Sequence, residues 1–226
     1  MSMMIIRRLF FQQRLLASIL WLLVLTFFVC NSRITLAKNV SSTYEFSMDI
    51  PDNWLFLSAG DESNPETIKD RLTLLQFSEA GIVDIVRRVI SGRSEMLFLP
   101  NTDGLFDENN HVNIIQSVGV LPDKETMPAL CEATEEQISL AFKKKTILEF
   151  CEHRQHGVLT SAYLEFDGLV EGTKNAQYHL HDDDYFYVVF SLTSMNSEFK
   201  RSNKELSTIL NSIRMHISQS SRKRYQ

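Results

Sequence analysis

The run His179-Leu180-His181-Asp182-Asp183-Asp184 holds the densest set of chemically capable side chains in this sequence. Residues two apart on a strand share a face. His179 and His181 therefore point together, with Gln177 beside them, while Ala176, Tyr178 and Leu180 turn toward the core. Two imidazoles and the Asp183 carboxylate could hold a borderline divalent ion such as zinc, copper or manganese. The spacing lacks the signature of a dedicated zinc site. A polar strand face running into a solvated acidic turn accounts for the same residues, because turns favour Asp for local backbone bonding. No other cofactor is implied.

Cys131 and Cys151 are the remaining candidates for covalent chemistry. In an oxidising compartment an even count permits a disulfide, and two separate buried thiols are the alternative, since free Cys behaves as a small hydrophobe. Cys151 and His153 would share a strand face, which invites a thiol-catalyst reading, but no third group to orient the histidine is evident. His153 and His156 flank what reads as a turn ending at Gly157, where polarity alone explains them. Ser91-Gly92 and Ser117-Val118-Gly119 are too generic to mark a nucleophile, and no Gly-x-Ser-x-Gly elbow occurs. A small hydrolase or thiol enzyme would require a deep pocket holding His153 or Cys151. The leading expectation is a non-enzymatic binding domain, with a metal-binding module second and such an enzyme third.

Positioning these residues falls to a regular alternation of elements. Tyr44, Phe46, Met48 and Ile50 alternate with polar residues, the period of a half-buried strand. Pro51-Asp52-Asn53 breaks it, and Trp54 closes the core behind the turn. Asn64-Pro65 starts a helix with Ile68, Leu72 and Leu75 on one face. A second amphipathic stretch carries Ile82, Val86 and Val89 to Ser91-Gly92. Glu95–Leu99 and Val112–Val118 read as strands around a loop from Pro100 to Asn110. Pro128 opens a helix with Leu130, Thr134, Ile138 and Ala141 on one face, ending in the cationic turn Lys143-Lys144-Lys145. Four strand signals follow: 147–152, 158–166, Ala176–Leu180 and 185–193, the last apolar enough to be central and covered on both faces. Glycines at 157, 168 and 172 suit an antiparallel meander. A final helix runs from about Ser197 to Met215, or starts later if Ser202 and Glu205 form a capping box. Helices at both ends of an antiparallel sheet give the α+β class.

Tyr44-Glu45-Phe46-Ser47-Met48-Asp49-Ile50-Pro51-Asp52-Asn53-Trp54 resembles the opening strand and Pro-x-x-Trp turn of the PsbP-like superfamily. Tyr185 to Ser194, followed by Ile209-Leu210-Asn211-Ser212-Ile213, is similar to that family's closing strand and helix. The resemblance spans most of residues 42–215 and implies a central antiparallel β-sheet with helices packed on both sides, an α/β/α sandwich. The superfamily includes an extrinsic photosystem II subunit, a Ran-binding nuclear-transport factor and many bacterial secreted proteins, which act by binding and assisting. No functional residue can be carried over from it. The implied partner is another periplasmic or membrane-associated protein.

Residues 1–37 read as a secretory leader: Arg7, Arg8 and Arg14, an apolar run Leu15–Cys30, then Thr35-Leu36-Ala37 as a cleavage signal. The run, at 16 residues, is shorter than the ~20 that span a bilayer, so cleavage is favoured over a retained inner-membrane anchor through residues 15–30. Arg7-Arg8-Leu9-Phe10-Phe11 resembles a twin-arginine signal, but the apolar centre is too greasy for that route. Cys30 follows bulky Phe28 and Val29 and makes no lipobox. The expected address is a bacterial periplasm or secretion, with one domain over 38–217 and a polar tail at 218–226. After the leader, nineteen basic residues face twenty-eight acidic ones, a net charge of −9. Such a surface repels nucleic acid, and membrane contact is expected only if the leader stays.

Overall fold

Alternating sequence becomes two antiparallel sheets in the structure, a computed structural model that describes residues 37–60, 64–119, 121–181 and 186–216. The smaller sheet places β2 (Phe46–Pro51) between β1 (Ala37–Ser41) and β10 (Arg214–Met215). The larger has seven strands in the spatial order β3 (Leu55–Leu57), β4 (Glu95–Pro100), β5 (Phe106–Val118), β9 (Phe186–Met195), β8 (Thr173–His181), β7 (Leu159–Asp167) and β6 (Phe150–His156). Asp182, Asp183 and Asp184, the leader before Ala37 with Cys30 and the apolar run 15–30, and the tail 218–226 lie outside the described residues. No helix among the described residues is long and apolar enough to cross a membrane.

One face of the large sheet carries the main core. Tyr178, Leu180, Phe190, Leu192, Val112 and Ile114 project from neighbouring strands and are fully buried. They meet Phe46, Met48 and Ile50 of β2, and Phe199, Leu206, Ile209 and Leu210 of the helix α4 (Asn196–Leu210). Phe46 and Phe190 pack with ring centroids 5.5 Å apart. The small sheet and α4 thus share one layer, stitched to the large sheet by buried polar bonds. Glu95, 2% exposed, accepts from Ser42 Oγ, Thr43 N, Thr43 Oγ1 and Ser58 Oγ. Ser202 Oγ of α4 donates to Asn110 Oδ1 at 3.0 Å.

Among the described residues, the opposite face is covered at its two ends. Helices α1 (Pro65–Leu74) and α2 (Glu79–Ile90) pack Ile68, Leu72, Ile82, Ile85 and Val89 against Leu55, Leu57, Met96 and Phe98 of β3 and β4. Their starts follow the sequence: Asn64 Oδ1 accepts from Glu66 N, and Ser78 Oγ from Gly81 N. At the other end, α3 (Met127–Phe142) lies against β6 and β7, with Phe142 near Phe166. Glu135 of α3 accepts from Leu148 N. Among the described residues, no helix lies on the stretch of β5, β9 and β8 between these two covers.

Several expectations shift in detail. The four-strand meander β6–β7–β8–β9 is present, but β6 runs from Phe150 through His156, so His153 and His156 sit on a strand and the turn follows at Gly157 and Val158. Gly157 occupies φ 58° there, and a Cβ on Gly168 would meet Thr173 Oγ1 at 2.0 Å, so both turns need glycine. The strand β5 begins at Phe106, six residues before the apolar signal: Phe106 pairs with Pro100 and, after an irregularity in the register, His111 pairs with Phe98 and Thr193. The last helix stops at Leu210 and is followed by β10, with Ile213 buried between them. Ser202 makes no cap, since its hydroxyl is spent on Asn110 and the helix starts at Asn196. Helix α3 buries only Met127 fully, so the face drawn through Leu130, Thr134, Ile138 and Ala141 is half-covered at best. The lysines follow α3 as its left-handed end at Lys143. Trp54 is buried in the main core, as its place behind a turn suggested.

Candidate functional site

The helix-free stretch of the sheet forms the floor of an open cleft of about 800 Å³. Strand alternation sends every second residue of three neighbouring strands onto that floor. Asn113, Ile115 and Ser117 come from β5, Tyr187, Val189 and Ser191 from β9, and Gln177 and His179 from β8. One wall is the last turn of α2 and the turn after it, which supply Arg87, Arg88, Arg93 and Ser94. Among the described residues, no carboxylate lines the cleft.

The floor is a connected polar surface. His179, 9% exposed, donates from Nε2 to Gln177 Oε1 at 3.1 Å, and Gln177 Nε2 reaches Ser191 Oγ at 3.5 Å. Tyr187 stacks on the His179 ring, with centroids 5.4 Å apart and an interplanar angle of 9°. Burial pushes the His179 imidazole down to about 4, so it is neutral at ordinary pH. His111 donates from Nδ1 to Glu108 O and accepts from Asn113 Nδ2 at Nε2, 3.1 Å away. Burial lowers its pKa too, with the nearby Arg88 charge acting the same way.

Two polar atoms in the lining have no hydrogen-bond partner among the described residues: Ser94 Oγ and Asn113 Oδ1. Ser94 is 6% exposed. Buried polar groups are nearly always paired, and leaving one unmet costs about 1–3 kcal/mol. The wall is electropositive. Asp84 is shared between Arg87, at 2.5 Å, and Arg88, at 2.6 Å. One carboxylate against two guanidiniums leaves a positive charge, and Arg93 has no carboxylate partner among the described residues.

Residues singled out by sequence are distributed differently. His179 and His181 do lie on the outer face of β8, with Ala176, Tyr178 and Leu180 in the core. Among the described residues, however, no group of three or more His, Cys, Asp or Glu is placed to hold a metal. Asp183, the third ligand of the expected set, lies outside them. Cys131 and Cys151 are brought to disulfide distance, S–S 1.90 Å and Cα–Cα 6.0 Å, joining α3 to β6. That corrects the thiol-catalyst reading, since Cys151 sulfur faces Cys131 and His153 donates from Nε2 to Pro122 O at 2.8 Å. His156 is buried, bonded to Ser161 Oγ and packed edge-on against Tyr178. Neither His153 nor Cys151 lines the cleft. Reading the sequence missed the arginine wall. Three arginines within residues 87–93, in a chain otherwise so acidic, were the available signal.

No family model and no curated protein matches the sequence. Solved structures do match in shape. Cyanobacterial PsbP (CyanoP) from Synechocystis aligns with a TM-score of 0.50 at 12% identity, over 82% of this chain and 95% of that one. A Bacteroides thetaiotaomicron protein aligns at 0.43 and 12% identity, over 83% of this chain and 50% of its own. LpqN, involved in cell envelope biogenesis of Mycobacterium tuberculosis, aligns at 0.40 and 12% identity, over 80% and 91%. At such identity the likeness concerns architecture alone. An α+β sandwich of two antiparallel sheets, opened by a Pro-x-x-Trp turn and closed by the strand–helix pair β9–α4, has the PsbP-like fold.

Proposed function

We propose that this chain is an exported accessory domain that works by binding, and that the cleft over β5, β9 and β8 is where it binds. The observation that carries the reading is the pair of buried, unpartnered polar atoms, Ser94 Oγ and Asn113 Oδ1, at the edge of an open polar cleft. A fold tolerates such atoms where an occupant completes them. Cleft size agrees, since small-molecule sites run from roughly 300 to 1,000 Å³. The leader in the sequence supports an exported setting. In that setting the domain serves another periplasmic or membrane-associated protein by bringing or sensing what the cleft holds. Among the described lining residues, no nucleophile is paired with a base in the manner of a hydrolase.

Two-dimensional amide NMR of the exported protein tests this, using a panel of neutral, cationic and anionic metabolites. At least one class should shift the amides of Ser94, Asn113 and Ser191 together. If every class leaves these amides unmoved in a folded sample, the cleft is not a binding site and the reading fails.

A further inference from the structure

Resting on that reading, we infer that the occupant is a small hydroxylated organic oxyanion, its carboxylate or phosphate held by Arg93 and Ser94. The argument starts from charge. Residues 38–226 carry a net charge of −9, so a spot walled by three arginines, with no carboxylate among the described lining residues, runs against the surrounding field. Asp84 answers only one of the three guanidinium charges. Arg93 is left with its fork of donors uncommitted to any described carboxylate, and such a fork matches a carboxylate or phosphate edge in two parallel bonds.

Ser94 follows Arg93 directly, and its unpartnered Oγ–H is a donor at the same corner of the cleft. A neutral ligand would satisfy the hydroxyl but leave the guanidiniums unanswered. An inorganic ion would answer the charge but leave the floor unused. That floor offers the unpartnered Asn113 Oδ1 as an acceptor, with the hydroxyls of Ser117 and Ser191 around it. An acceptor on the floor and donors on the wall call for a body bearing hydroxyls and an anionic head.

The experiment is isothermal titration of the full chain with glucuronate, glucose 6-phosphate, glucose and inorganic phosphate, on the unaltered protein and on Arg93→Ala and Ser94→Ala. The carboxylate and phosphate arms separate the two sources of the anionic head. Either sugar acid should bind at least tenfold more tightly than glucose and than inorganic phosphate. Arg93→Ala should remove most of that advantage, and added sodium chloride should weaken the unaltered protein's binding. Ser94→Ala should weaken the anion several-fold with little effect on glucose. Equal affinity for glucose and the sugar acids, or sugar-acid binding indifferent to Arg93→Ala, overturns the oxyanion assignment while leaving the cleft a binding site. Failure of all four probes also overturns it, and the cleft reading falls only if the wider NMR panel is silent as well. Both substituted side chains can be checked by amide spectra, and Arg93 is exposed, so a folding defect is separable from a loss of binding.

Discussion

Ser94 stores a cost that a ligand can relieve. Its hydroxyl is buried without a partner, so Ser94→Ala should stabilise the empty protein by about 1 kcal/mol. Urea denaturation would show this as a higher midpoint at unchanged slope; a lower midpoint would mean the hydroxyl is satisfied in solution. His179 sets a pH response of definite sign. Its folded pKa is depressed to about 4 by burial, below the ordinary 6.5. The unfolded chain therefore takes up a proton at pH values where the folded chain does not. The contribution is fully present above about pH 6.5 and is lost as pH falls toward 4, on the order of 3 kcal/mol in all. His111 and His156 are shifted in the same direction. Denaturation midpoints measured from pH 7 to 4 should fall, and His179→Gln should flatten part of that fall. A profile unchanged by the substitution would refute the assignment.

At the scale of elements, α3 is the weakest attachment. Only Met127 of its residues is buried, and Leu140 is 71% exposed. What holds it is the Cys131–Cys151 link, with Glu135 on Leu148 N and Ser139 Oγ on Thr146 N. A sequence separation of 20 makes the cross-link worth about 3 kcal/mol in the chain-entropy account. Mass spectrometry without reductant should find no free thiol at these two positions. Reduction should then release α3 first, seen as lost amide protection over 127–142 while β5, β8 and β9 stay protected. Uniform loss across the sheet would argue against a local tether.

Element scale is also where the sequence was most and least readable. Helix α1 was legible because Asn64-Pro65 is a strong local start, and α2 because its apolar stripe is clear, while its Ser78 cap went unread. The first six residues of β5 were not, since they are mostly polar and join the sheet only through Phe106 opposite Pro100 and His111 opposite Phe98 and Thr193. Strand β6 starts three residues and ends four residues later than its apolar signal, because its one partner β7 pairs it from Phe150 to His156, and this moved His153 and His156 from a turn to a strand. The cleft needed knowledge of strand order. Asn113, Gln177 and Ser191 are far apart in the chain and become neighbours only because β9 lies between β5 and β8. Only Gln177 and His179 among the floor residues were visible as a pair beforehand.

For the whole molecule, the joint between the two sheets is the point of greatest consequence. Glu95 of β4 gathers four donors from the β1–β2 turn and from Ser58. Glu95→Ala would strand the buried Ser58 Oγ while water can reach the Ser42 and Thr43 donors, and a loss of about 1–3 kcal/mol is expected. Glu95→Gln should recover part of that, because the amide oxygen can still accept. Thermal unfolding of the pair would decide; two equal and small losses would show that water replaces the carboxylate freely.

The small sheet has a further bearing on how this chain comes into being. Its middle strand β2 takes one neighbour from the start of the domain and the other, β10, from its finish. Asp49 N and Ser212 Oγ are bonded across a sequence separation of 163. During synthesis the first strands therefore wait, incomplete, until residues near 214 have been made. Contacts of such span form late and slowly. A polypeptide that cannot lock its opening segment early keeps that segment open to other contacts until its distant partner strand has been made.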